Sequence, residues 1–207
     1  MSKHQNIYKA HPWHGISFGM HAPNRVNAFI EIVPSDTIKY EIDKESGYRK
    51  VDRPQKFSNI IPALYGFIPK TYCGKSVAEY AKLKTGRNII EGDKDPLDIL
   101  VLTERNISSG DILVEAIPIG GFRLLDKNEA DDKIIAVMAN DALYSAFKDI
   151  TECPEPIIQR LRHYFMTYKN IPGTQDNTCE ITHLYSKEEA HEVINRSITD
   201  YQSQFLL

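Results

Sequence analysis

Apolar positions come in short alternating bursts from residue 27 to 138 and then change to a helical period. Residues 27–33 and 38–43 read as strands. Lys44-Glu45-Ser46-Gly47 is a turn and 48–53 returns, so 38–53 is predicted as a hairpin. Further short strands are expected at 64–68, 97–102, 112–117, 121–125 and 133–138, a spacing that suggests a small barrel. Residues 72–92, with Gly74 and Gly86, read as a polar loop, and 1–25, broken by Pro12, Gly15, Gly19 and Pro23, as an irregular extension. In the last third, Ile157, Ile158, Leu161, Tyr164, Phe165 and Tyr168 recur at helical spacing, and Pro172-Gly173 stops the run. Ser186 with Glu189 reads as a capping box. It opens a helix with Ala190, Val193, Ile194, Ile198, Tyr201 and Phe205 on one face. The predicted class is mainly β (α+β), a barrel followed by helices. With no repeat or linker, 1–207 reads as one domain.

Composition narrows the setting. The 207 residues, 42% apolar and 26% charged, are ordinary for a chain with a real core. A net charge of -3 argues against a dedicated nucleic-acid partner. No apolar run reaches the roughly 20 residues that span a bilayer, and the N-terminus has no signal-peptide pattern. Cys73, Cys153 and Cys179 are far apart, without a C-x-x-C pair, which fits a reducing compartment. A soluble cytoplasmic protein is expected.

The chemistry concentrates in Gly92-Asp93-Lys94-Asp95-Pro96-Leu97-Asp98, which leads into an apolar run that reads as a buried strand. Crowded carboxylates resist burial unless they are neutralised, and a hard divalent cation that takes oxygen ligands does this. A second acid cluster spans 126–133. There Asp131 and Lys133 share a face and Asp132 points away, while Lys39, Glu41 and Asp43 share a face of the hairpin. Acids for metals beside Lys39, Arg53, Lys133 and Lys169 suit a metal-bound polyphosphate. Asp43, Lys44, Glu45, Lys127, Glu129 and Asp132 read as solvated charges. Three look-alikes fail. Cys73-Gly74-Lys75-Ser76 lacks the first P-loop glycine, since Pro69 stands there. Asp93 to Glu104 lacks the EF-hand glycine, since Asp98 stands there. His11 and His14, in a proline-containing loop, read as surface residues rather than a metal pair.

Asp93-Lys94-Asp95-Pro96-Leu97-Asp98 resembles the D-x-D-P-x-D signature of family I soluble inorganic pyrophosphatases. The likeness extends in family order through Ile30-Glu31-Ile32, the run from Lys39 to Gly47, Val51-Asp52-Arg53, Tyr65-Gly66, Asp126, Asp131 with Lys133, and Tyr168-Lys169. It covers about 27–70, 91–138 and 157–170. The resemblance implies a five-stranded OB-like β-barrel with flanking C-terminal helices and Mg²⁺-dependent hydrolysis of pyrophosphate to two orthophosphates. Several Mg²⁺ ions per site are implied, with Mn²⁺ as a substitute, and a homo-oligomer, dimer or hexamer. By the same carry-over Asp93, Asp98 and Asp131 hold one metal, and Asp98 also reaches a second. Asp126 and Asp131 serve an ion that arrives with substrate, and Glu31 supports another. Asp95 accepts a proton from the attacking water. Lys39, Arg53, Tyr65, Lys133, Tyr168 and Lys169 contact phosphate, and Glu41 lies in the cavity.

Two positions depart from the family pattern. Ile61 stands where a phosphate-contacting Tyr is usual, and Lys127 follows Asp126 where an acid is frequent. The loop 72–92 is also longer than in short bacterial members. Two other readings use the same residues. One is a non-catalytic OB-like binding module, which the acidic balance disfavours. The other is a phosphoanhydride hydrolase acting on nucleotides, for which no base-binding motif is visible.

Overall fold

The apolar bursts close into a ring of strands. The computed structural model describes residues 9–88, 90–169 and 179–206. The first strand is β1 (Val26–Ile32), and β2 (Ile38–Ile42) and β3 (Arg49–Pro54) form the expected hairpin. Then come β4 (Leu64–Phe67), α1 (Lys75–Thr85), β5 (Glu91–Gly92), β6 (Asp98–Leu102), β7 (Ile112–Asp126), β8 (Glu129–Ala130) and β9 (Lys133–Met138). Two short 3-10 turns lead to α2 (Glu155–Thr167), β10 (Cys179–Ser186) and α3 (Lys187–Phe205). β1 runs antiparallel to β4, β4 to β6, and β9 to β7, while β6 and β9 are parallel; β7 returns to β1 and closes five strands. This is the mainly β fold with a five-stranded ring that the resemblance implies.

The run that follows the acid cluster is apolar at every position because both its faces are buried. Ile99, Val101, Ile134 and Ala136 pack with Val193 and Ile194 of α3. Leu100, Leu102, Ile135 and Val137 pack with Ile158, Leu161 and Phe165 of α2. Period-two alternation thus divides one apolar run between two cores. Strand β4 fits against β1 because residue 66 is glycine: a Cβ there would lie 1.8 Å from the Phe29 carbonyl oxygen.

Four expectations are corrected. The segment 72–92 contains α1, whose buried face is Val77, Ala78, Tyr80 and Ala81. Its N-terminal amides are capped from a distance, because the Asp200 carboxylate on α3 accepts from the N–H groups of Gly74, Ser76 and Val77 at 2.9–3.1 Å. No local start signal therefore exists, although Gly86, at φ 70°, ends the helix in the usual left-handed way. Second, 112–117 and 121–125 belong to one strand, and Pro118 and Gly120 mark a register shift within it. Its first half pairs with β1 and its second half with β10, a strand the pattern does not announce. Third, Ser186 makes no capping bond: its hydroxyl donates to Glu188, and Glu189 turns to Arg123. Fourth, His14 is half-buried, stacked on Trp13 at 4.4 Å and bonded to the Tyr201 hydroxyl. The helix stop expected at Pro172-Gly173 lies outside the described residues. No described helix is long and apolar enough to cross a membrane.

Candidate active site

The ring's register brings the chemistry to one place. Asp98 opens β6 and Lys133 opens β9, and the two are direct partners across the parallel pair. Phe67 faces Asp98 from β4, two residues beyond Tyr65, and Asp126 closes β7. The preceding loop is strapped down. Cys73 N–H donates to the Asp95 carbonyl at 2.8 Å, and Lys94 N–H to the Cys73 carbonyl at 3.0 Å. A Cβ at Gly92 would lie 2.1 Å from the Cys73 carbonyl oxygen, so only glycine allows this approach. The strap holds Asp93 and Asp95 together, and Asp95 N–H donates to Asp93 Oδ1 at 3.0 Å.

All thirteen residues singled out from the sequence line one cleft of about 340 Å³: Glu31, Lys39, Glu41, Arg53, Tyr65, Asp93, Asp95, Asp98, Asp126, Asp131, Lys133, Tyr168 and Lys169. Lys133 bridges Asp98 and Asp131. The Tyr65 hydroxyl donates to Asp98 Oδ2 at 2.5 Å, and Lys169 Nζ to Asp126 Oδ2 at 2.5 Å. Tyr168, just past the end of α2, stacks on Tyr164 with ring centres 5.1 Å apart. Glu31, 6% exposed, accepts from Ile42 N–H at 2.6 Å and so ties β1 to the hairpin. Lys39 donates to Asp52 at 2.7 Å and Arg53 donates to Asp52 Oδ2 at 2.5 Å. Asp52, given no role from the sequence, thus aligns two cleft cations.

Three residues read as solvated charges are placed otherwise. Lys44 and Glu129 line the cleft, and Lys44 contacts Asp95. Asp132 is buried and receives Arg123 Nη1 at 2.8 Å. Burial pushes its carboxyl up to about 6 against the opposing pull of Arg123. The signal for Asp132 was its place between two cleft-facing residues. Lys44 had none, because its reach depends on the hairpin's position.

The electrostatics call for cations. The lining carries eight carboxylates against five Lys and Arg side chains. Burial pushes Glu31 up to about 8. Burial, reinforced by Asp131, raises Asp93 and Asp98 as well. Burial would favour loss of the Lys133 proton, but Asp131 and Asp98 outweigh it and hold the ammonium charged. Among the described residues no three acids form a ready-made metal cluster; lysines stand among them instead. The donor set, all hard oxygen and short of positive charge, fits a hard divalent ion.

A family model described as inorganic pyrophosphatase matches residues 28–202. A curated inorganic pyrophosphatase of Chlamydia muridarum is 50% identical over 200 residues, covering 95% of this chain and 96% of that protein. One from Chlamydia trachomatis serovar L2 is 50% identical over 201 residues, with the same coverage. The crystal structure of the inorganic pyrophosphatase from Thermus thermophilus superposes with a TM-score of 0.77 at 29% identity, covering 93% of this chain and 99% of that one.

The chain belongs to the family I inorganic pyrophosphatases. It is therefore a hydrolase of that family, and its departures from the pattern can be located. Ile61 is 1% exposed, packed in the core with α2, so no side chain from that position reaches the cleft. Lys127 sits at φ 57° in the turn between β7 and β8 and is absent from the lining, whereas Glu129, paired with Asp126 across that turn, faces the cleft.

Proposed function

We propose that this chain hydrolyses pyrophosphate to two orthophosphates in a Mg²⁺-dependent reaction, with Mn²⁺ as a substitute. The observation that carries the reading is the meeting of eight carboxylates and five basic side chains in one cleft, in a chain of this family. Pyrophosphate is highly anionic and repels a nucleophile, so both its charge and that of the acids need compensation. Bound Mg²⁺ would supply Lewis acidity toward the phosphoryl oxygens and a lowered pKa for water.

The roles follow from chemistry and position. Asp93, Asp98 and Asp131 would hold one ion, with Asp98 reaching a second; Asp126 and Asp131 would hold a further one, and Glu31 another. Asp95 Oδ would take the proton of the water as its oxygen bonds to one phosphorus and the bridging P–O bond breaks. Lys39, Arg53, Lys133 and Lys169 would neutralise the phosphoryl oxygens as charge moves onto the departing phosphate, with Tyr65 and Tyr168 as hydroxyl donors. Glu41, 3.3 Å from Lys39 Nζ, would orient that lysine. We further propose a single domain that works in the cytoplasm as a homo-oligomer, without nucleic-acid or membrane partners. Colorimetric phosphate assay with pyrophosphate, with Mg²⁺ and then with EDTA, tests the reaction. Two phosphates per substrate, abolished by EDTA, are expected. No release with either Mg²⁺ or Mn²⁺ would overturn it.

A further inference from the structure

Behind the segment that carries Asp131 and leads into β9 at Lys133 lies a buried ion cluster that the proposed reaction does not use. The Arg123 side chain, on β7, has no exposed surface. Its Nη1 donates to Asp132 Oδ2 at 2.8 Å and its Nη2 to Glu189 Oε1 of α3 at 3.0 Å. Glu189 in turn holds Lys84 of α1 at 2.8 Å. The guanidinium lies against the rings of Tyr80 from α1, at 5.2 Å, and Tyr185 from β10, at 5.3 Å. Two helices, two strands and the segment between β8 and β9 therefore meet on one side chain.

What this cluster holds is visible from the alternation. Asp132 is the residue between Asp131 and Lys133. Its neighbours line the cleft and it points the other way. Fixing Asp132 with a charged hydrogen bond fixes the roll of the backbone from 131 to 133, and so the aim of both cleft side chains. The same segment is pinned nearby: Asp131 N–H donates to the Leu124 carbonyl at 3.0 Å, and Phe122 faces Lys133 in register. A buried ion pair is a poor source of net stability, since apolar replacement of the whole pair is often neutral or stabilising. Directional control is what the pair adds over apolar packing.

We infer that Arg123, acting through Asp132, is a positioning residue for Asp131 and Lys133. This rests on the roles proposed above for those two residues. The competing reading is an ion pair that only joins the sheet to α1 and α3.

The test is the double variant Arg123→Met/Asp132→Leu, which removes both partners and leaves the net charge unchanged. Mn²⁺ binding to the protein alone is followed by electron paramagnetic resonance, alongside circular dichroism and the kcat and KM of phosphate release. Outer-shell partners of metal ligands are typically worth about 10–100-fold in affinity or activity. The expected result is a folded protein with at least about tenfold weaker Mn²⁺ binding and a similar fall in kcat. A folded double variant with wild-type Mn²⁺ affinity and kcat would overturn the inference. If the double variant does not fold, Arg123→Lys keeps the charge but loses the two-pronged grip. Weakened Mn²⁺ binding is expected there too, and unchanged binding overturns the inference. If the wild-type protein releases no phosphate, the functional reading fails by itself, while Mn²⁺ binding still reports on the clamp.

Discussion

Tyr65 gives its one hydroxyl proton to a cleft carboxylate. It donates to Asp98 at 2.5 Å and lines the cleft where phosphate would lie. Tyr65→Phe keeps the ring, which packs toward Phe165, and deletes only the donor. A hydrogen bond to a charged group is worth about 1.5–3 kcal/mol, so kcat/KM for phosphate release should fall roughly 10–100-fold with no loss of fold. Away from the cleft, Asp141 accepts from the N–H groups of Leu143, Tyr144 and Glu104 and from the Thr103 hydroxyl, at 2.7–3.0 Å. Burial alone would raise its carboxyl, and these bonds outweigh it and hold the pKa below the usual value. The folded state therefore binds protons less readily than the unfolded chain, and the stabilisation is present above the unfolded pKa of 3.8 and lost as pH falls below it. Urea titrations from pH 6 down to 3 should show Asp141→Asn losing less stability on acidification than wild type; parallel slopes would contradict this. At this scale the cleft acids were legible as crowded carboxylates that match the family signature in order, and side-chain alternation set Asp131 and Lys133 apart from Asp132. It was silent on Asp52 and Lys44, whose roles depend on hairpin geometry.

At the scale of elements, the strap from 72 to 95 decides whether the acid loop is held. Its two anchors are the Asp200 cap on α1 and the contact of Gly92 with the Cys73 carbonyl. Replacing Asp200 by Ala leaves three amides at the helix start without their acceptor and should cost about 1–2 kcal/mol by chemical denaturation. Gly92→Ala is harsher, because its Cβ would press on backbone that cannot rotate away. We expect a loss of about 1–3 kcal/mol together with weaker activity, since the displaced loop carries Asp93 and Asp95. Wild-type stability in the alanine variant would contradict the close approach. The same anchors explain why α1 was not legible: its cap comes from α3, more than a hundred residues later, and no local pattern reports it. The β7 bulge misled for a related reason, since Pro118 and Gly120 break local periodicity while long-range pairing keeps the strand whole.

Across the whole molecule, five strands and their crossings bring residues from 31 to 169 onto one cleft, and two cores hold that arrangement from either side. The barrel was legible in the spacing of its short strands, and the acid loop because three carboxylates leading into a run apolar at every position need neutralisation. The Arg123 cluster was not, because a charged residue inside an apolar run shows its partners only when helices and sheet are assembled. In the proposed reaction the decisive step is the transfer of a proton from the attacking water to Asp95. Single-turnover phosphate release from pyrophosphate at saturating Mg²⁺, wild type beside Asp95→Asn, tests it most directly. Losing a general base costs roughly 10²–10⁴-fold, so the rate should fall by that factor while Mn²⁺ binding persists. A variant that releases phosphate at the wild-type rate would contradict the account.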